Sequence, residues 1–145
     1  MKCPGVYALA LPKIDLAGQD FDWISDIIYF GMTNCGGGLS ARLRKFDDTI
    51  RGKEGHSGAC RVRFKHRDYR ELTSNLFVST CPVACNVTSS QSDDFLKMGE
   101  VAYLEYYCFA KYFGLFQNLP EFNNKKAAPK RTAADLRAAT AVLAT

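Results

Sequence analysis

The sequence predicts an α/β chain of the α+β type, on three observations. Two short apolar runs, Gly5–Leu11 and Ile27–Met32, are of strand length and character, and each holds a tyrosine and a glycine. Joined by a long connection, they form the pattern of an antiparallel hairpin. A third run, Leu76–Thr80, is apolar and β-branched enough for another strand. Around these strands, apolar residues return every three or four positions, which is the period of helices.

The 145 residues suit one domain with a single core. Hydrophobic and charged contents of 47% and 23% are those of an ordinary globular chain. No apolar run approaches the ~20 residues a membrane span needs. Residues 1–4 run into a strand rather than an apolar leader with a cleavage site, so no signal peptide is expected and a cytoplasmic location follows. Six cysteines, at 3, 35, 60, 81, 85 and 108, include one C-x3-C pair, Cys81 and Cys85, with no second pair and no histidine at ligand spacing. They read as reduced thiols, several of them buried as small apolar residues.

Within the loop from Pro12 to Asp26, Trp23 is expected to fold back onto the core. The turn Thr33–Gly38 carries three consecutive glycines, which either connect flexibly or bring backbone N–H groups close to a ligand. No Lys-Ser/Thr pair follows them, so this is not a nucleotide-binding P-loop. Leu39, Leu43, Phe46 and Ile50 share one face of a helix from Leu39 to Arg51, ended by Gly52. A short basic helix is expected at Ala59–Lys65. Pro82 excludes a long central strand after Leu76. Asp93 and Asp94 suit the positive end of a long helix, Asp93–Phe113, for which Gly114 is the expected stop. Its stripe is Phe95, Met98, Ala102, Glu105, Phe109 and Tyr112. From Lys125 a basic, alanine-rich tail follows, with Thr132 and Asp135 placed to cap a last short helix at 133–143.

Charge is unevenly spread. Residues 41–70 carry ten Lys/Arg against four Asp/Glu, a local +6 in a chain of net +4. Such a band, with Arg44, Lys45, Arg51, Lys53, Arg61, Arg63 and Lys65 as its expected contacts, is either a solvated face or the footprint of a phosphate-binding surface. Glu105 interrupts an apolar stripe, and a carboxylate there must be paired, protonated or bound to a metal. A salt bridge and a hard-cation site for Mg²⁺ or Mn²⁺ are the two readings; Glu100 is a rival that lies off the stripe. Arg42 borders the buried face of its helix, and its planar guanidinium suits a phosphate. Tyr7 and Tyr29 are core-edge aromatics or proton-transfer groups, and His56 lies between glycines in a loop from which a side chain can enter a site.

In this order and with these roles, the chain resembles the GIY-YIG nuclease superfamily. The matching features are Gly5-Val6-Tyr7, Tyr29-Phe30-Gly31, Leu39-x-x-Arg42, His56 in a Gly-His-Ser loop, Glu105 on the long helix, and Asn123 after it. They span about residues 5–124, followed by the tail 125–145. The spacing between the two tyrosine tripeptides is longer than usual in that superfamily, and Phe46 stands where some members carry a second histidine. The resemblance implies a small, mainly antiparallel three-stranded sheet flanked by helices, and metal-dependent hydrolysis of DNA. Glu105 would hold one Mg²⁺ or Mn²⁺ and Arg42 would stabilise the transition state. Tyr7 or Tyr29 would deprotonate water, with His56 relaying the proton or orienting the phenol. Asn123 would orient the glutamate or contact phosphate. DNA would be the partner, and cutting both strands would call for a homodimer or two successive events. A non-catalytic nucleic-acid-binding module and a cysteine-based metal or redox protein are the competing classes.

Overall fold

The computed structural model describes residues 2–132 together with 134, 135, 137 and 138. Three strands, β1 (Gly5–Ala10), β2 (Ile27–Thr33) and β3 (Phe77–Pro82), form one antiparallel sheet in the order β2-β1-β3. β1 is central because it can be: every residue in it is buried, whereas β3 is half-exposed throughout and ends on Pro82. A proline lacks the N–H that a central position needs but is tolerated at the end of an edge strand. Opposite Tyr7 stand Gly31 on one side and Thr80 on the other.

Alternation along the strands builds two cores. Tyr7, Leu9 and Tyr29 face α1 (Gly38–Ile50), α2 (Ser57–Lys65) and α3 (Tyr69–Asn75), burying Leu39, Phe46, Ile50, Val62 and Leu72. Ala8, Ala10, Ile27 and Phe30 face the other way, onto α4 (Ser92–Phe116), where Tyr112 meets them. Trp23 does fold back, against Phe30 and Tyr107. No helix among the described residues is long and apolar enough to cross a membrane.

Several boundaries differ from expectation for identifiable reasons. α3 was absent from the sequence reading because it is short; Asp68 caps it by accepting from the N–H groups of Arg70 and Glu71. α2 begins two residues early because His56 itself serves as its cap. α4 runs through Gly114 and stops at Gln117, which takes the left-handed conformation. Phe95, first of the expected stripe, is exposed; Val101 lies on the buried face instead. Of the six cysteines, all free thiols, only Cys60 is buried. Thr132 and Asp135 exchange the expected capping bonds, but most of the helix expected at 133–143 lies outside the described residues. Ahead of it, Ala128 is buried in the first core and Arg131 stacks on Phe64, so the tail docks from its start.

The glycine turn has a structural job at Gly38. Its φ is +60°, and a Cβ there would fall 2.3 Å from the Lys2 carbonyl. The close approach lets Leu39 N–H bond the Cys3 carbonyl, tying the start of α1 to the chain entering β1. Gly38→Ala combines left-handed strain with a backbone clash, and is expected to destabilise the fold by about 2 kcal/mol or more in urea unfolding, whereas Gly36→Ala, on the open side of the turn, changes it by less than about 1 kcal/mol.

Candidate functional site

His56 is the hub. It leaves α1 behind, and its backbone N–H bonds the Thr49 hydroxyl, which in turn bonds the Lys45 carbonyl. Its Nδ1 accepts the N–H of Ala59, closing the first turn of α2. Its Nε2 lies 2.9 Å from the Tyr7 hydroxyl, with both groups buried. Burial, with the positive charges of Arg42 and Lys45 nearby, pulls the histidine down to about 4, so the ring is neutral. A neutral imidazole that accepts at Nδ1 carries its hydrogen on Nε2. Nε2–H therefore donates to the Tyr7 oxygen, and His56 orients the phenol rather than accepting a proton from it.

Tyr7 stands beside Tyr29, with ring centroids 6.0 Å apart, and the interaction between the two side chains favours the Tyr29 anion and disfavours the Tyr7 anion. Burial raises both phenols above their ordinary range, and Arg42 opposes this at each. Room for the phenols comes from two glycines. A Cβ at Gly31 would fall 2.5 Å from the Tyr7 hydroxyl, and one at Gly58 would fall 2.7 Å from Cζ of Tyr29. Gly31 belongs to the Tyr-Phe-Gly tripeptide, so the tripeptide's glycine makes space for the phenol of the neighbouring strand.

Arg42 is the charge the other groups share. It acts electrostatically on Tyr7, Tyr29, His56 and Glu105. Its Nε is buried without a hydrogen-bond partner. Arg61 repeats the pattern from α2: one guanidinium N–H bonds the Phe122 carbonyl, the Nε is buried and unpartnered, and its charge acts on Tyr29. A buried orphan donor costs about 1–3 kcal/mol, more when charged, so two at one place are a site for acceptors. Sequence reasoning placed Arg61 with the outer basic band; its position one turn after His56's cap, on a face shared with the core, was the signal.

Glu105 is half-buried on α4, and burial raises its carboxyl while Arg42 opposes the shift. It makes no ion pair within 4 Å among the described residues, so the salt-bridge reading does not hold. Asn123 lies elsewhere: its amide accepts from Phe30 N–H and donates to the Phe30 carbonyl, extending the outer edge of β2. It steadies the strand that carries Tyr29, with Phe122 N–H bonding Ile28 beside it. The basic band is partly neutralised. Arg51 pairs with Asp47, Lys53 with Asp48 and Lys65 with Glu121, while Arg63 bonds the carbonyls of His66 and Arg67. Arg44 and Lys45 make no ion pair among the described residues.

The depressed His56 value has a consequence for stability. The unfolded ring takes a proton near pH 6.5 and the folded one only near 4, so stability present above pH 6.5 is lost as pH falls toward 4. The full difference is about 3 kcal/mol. His56→Asn, which keeps a capping side chain, is expected to be less stable at pH 7.5 but flatter between pH 6.5 and 4.5 than the wild type, as read by urea midpoints.

Compared with protein-family models, curated proteins and solved structures, the chain gives no match.

Proposed function

We propose that this chain is a metal-dependent endonuclease of the GIY-YIG type, hydrolysing DNA phosphodiester bonds. The observation that carries the reading is the pair of buried, unpartnered guanidinium N–H groups, Arg42 and Arg61, beside two adjacent buried phenols and a carboxyl that makes no ion pair within 4 Å among the described residues. A phosphate oxygen answers the first; a divalent cation answers the last.

Glu105 fits as the protein anchor for Mg²⁺ or Mn²⁺. Among the described residues no group of three His, Cys, Asp or Glu could form a closed cage, and Mg²⁺ commonly takes one or two carboxylates while keeping water and phosphate oxygens. When bound, such an ion polarises the scissile phosphate and stabilises the leaving oxygen. Arg42 and Arg61 present fixed donors to the charge that grows on the phosphoryl oxygens, at no reorganisation cost. Tyr29 takes the proton of the attacking water, because Tyr7 and both guanidiniums act on it in the sense that favours its anion. Tyr7 and His56 hold that phenol in line. Burial keeps both tyrosines protonated in the free protein, so the phenolate forms only when further positive charge enters.

Arg44 and Lys45 follow the DNA backbone outside the site. The exposed pairs of Arg51, Lys53 and Lys65 are each worth about 0–1 kcal/mol and yield readily to phosphate. A cytoplasmic setting agrees with six free thiols.

The test is cleavage of labelled single-stranded, duplex and branched DNA with Mg²⁺, Mn²⁺ or EDTA. Metal-dependent cutting is expected, lost by at least 100-fold in Glu105→Ala and Tyr29→Phe with DNA binding retained, and reduced in Arg61→Ala. Binding of every substrate with no cutting under any metal would leave a non-catalytic binding module.

A further inference from the structure

α4 has two apolar faces, and the described residues cover only one. The inner face, Val101, Cys108 and Tyr112 with Glu105 among them, lies on the sheet. On the opposite side stand Leu96, Gly99, Tyr103, Tyr106, Ala110 and Phe113, at spacings of three, four, three, four and three. This is the two-in-seven seam of paired helices. Its large members are exposed, Leu96 by 70%, Tyr103 by 65%, Tyr106 by 72% and Phe113 by 50%.

Gly99 adds a second observation. A glycine inside a helix costs about 1 kcal/mol relative to alanine. Among the described residues outside its own helix backbone nothing needs the space, because a Cβ at Gly99 would meet none of their atoms within 4 Å. Its place on the seam leaves room for something outside.

We infer that this face is the two-fold contact of a homodimer in which the α4 helices of two copies pack antiparallel. The seam matches itself in that direction, and the charges that flank it set the direction. Setting Tyr103 against the partner copy's Tyr106 also sets Gly99 against Ala110 and Leu96 against Phe113, so small meets small and large meets large without slippage. A two-fold contact requires this self-complementarity. The flanking charges agree: Glu100 and Lys111 stand on the same side of the seam, and in this register each lies within about 3 Å of axial level with its opposite on the other copy, giving two ion pairs. DNA is the poorer occupant, because α4 carries four acids and two lysines and would repel phosphates.

The seam residues, with exposed Phe95 and Tyr107 beside them, remove on the order of 500 Å² per copy, near the lower limit for a specific interface. A dimer of micromolar affinity is what the test below looks for. The contact rests on α4 alone and holds whether or not the chain cuts DNA. On the nuclease reading, it has a consequence: the dyad passes between Leu104 and Glu105, so two centres stand level on the far sides of the helix pair, on the order of 20 Å apart.

Sedimentation over about 1–200 µM tests it. The wild type is expected to pass from monomer to dimer, and Tyr106→Glu to remain monomeric with an unchanged circular-dichroism spectrum. Glu100→Lys is expected to weaken the dimer about tenfold, and Glu100→Lys with Lys111→Glu to restore it. A wild type that stays monomeric at 200 µM overturns the proposal, as does a dimer indifferent to Tyr106→Glu. Failure of the double reversal to rescue overturns the antiparallel register. A monomer whose DNA affinity falls in Tyr106→Glu assigns the seam to nucleic acid instead.

Discussion

The buried hydrogen bond between Tyr7 and His56 constrains more of this molecule than any other contact. It joins the central strand to the loop between α1 and α2, across 49 residues of sequence. Each polar atom of the imidazole and its backbone N–H has a separate partner: the Thr49 hydroxyl, the Ala59 amide and the Tyr7 hydroxyl. The end of α1, the start of α2 and the orientation of the phenol on β1 are therefore one arrangement. Replacing the ring leaves a buried hydroxyl and a helix terminus unsatisfied together, which is why the geometry of this site and folding cannot be separated at this position.

Around that bond the site is biased in one direction. Burial disfavours charge on His56, Tyr7, Tyr29 and Glu105 alike. Arg42 and Arg61 remain as the fixed charges, each with an N–H left over. His56, Tyr7 and Tyr29, neutral at rest beside two guanidiniums and a half-buried carboxyl, form a place that gains from receiving an anion and a cation together, because each makes the other's burial cheaper. A phosphodiester with a divalent ion is such a pair. A structural ion-pair network would show the opposite pattern, with its donors satisfied at rest.

Much of this was legible in the sequence, and what was not has physical causes. Strand and helix periods located β1, β2, α1 and the body of α4, since buried faces repeat in register with the backbone. Glu105 was visible as a charge inside an apolar stripe. Asn123 was visible as a site residue by resemblance only, and its amide went to the edge of β2, a tertiary choice that no local pattern encodes. Arg61 looked like one of many exposed cations because its depth is set by Phe122, sixty-one residues away. α3 is too short to show a period, although Asp68 followed by Glu71 had the look of a helix start.

The long helix shows how a pattern can hide in plain sight. Choosing one stripe on α4 makes the remaining positions read as solvent-facing by default, and four of its aromatic residues, Phe95, Tyr103, Tyr106 and Phe113, then have no reason to be there. A helix apolar on both sides belongs between two layers. The sheet supplies the first layer through Phe30 and Ile27, and a chain of this size has used its other helices on the far face of the sheet. The second layer must come from outside the described chain. Because Glu105 rides on the same helix, whatever seats on the outer face also fixes how far that carboxylate can move relative to Arg42.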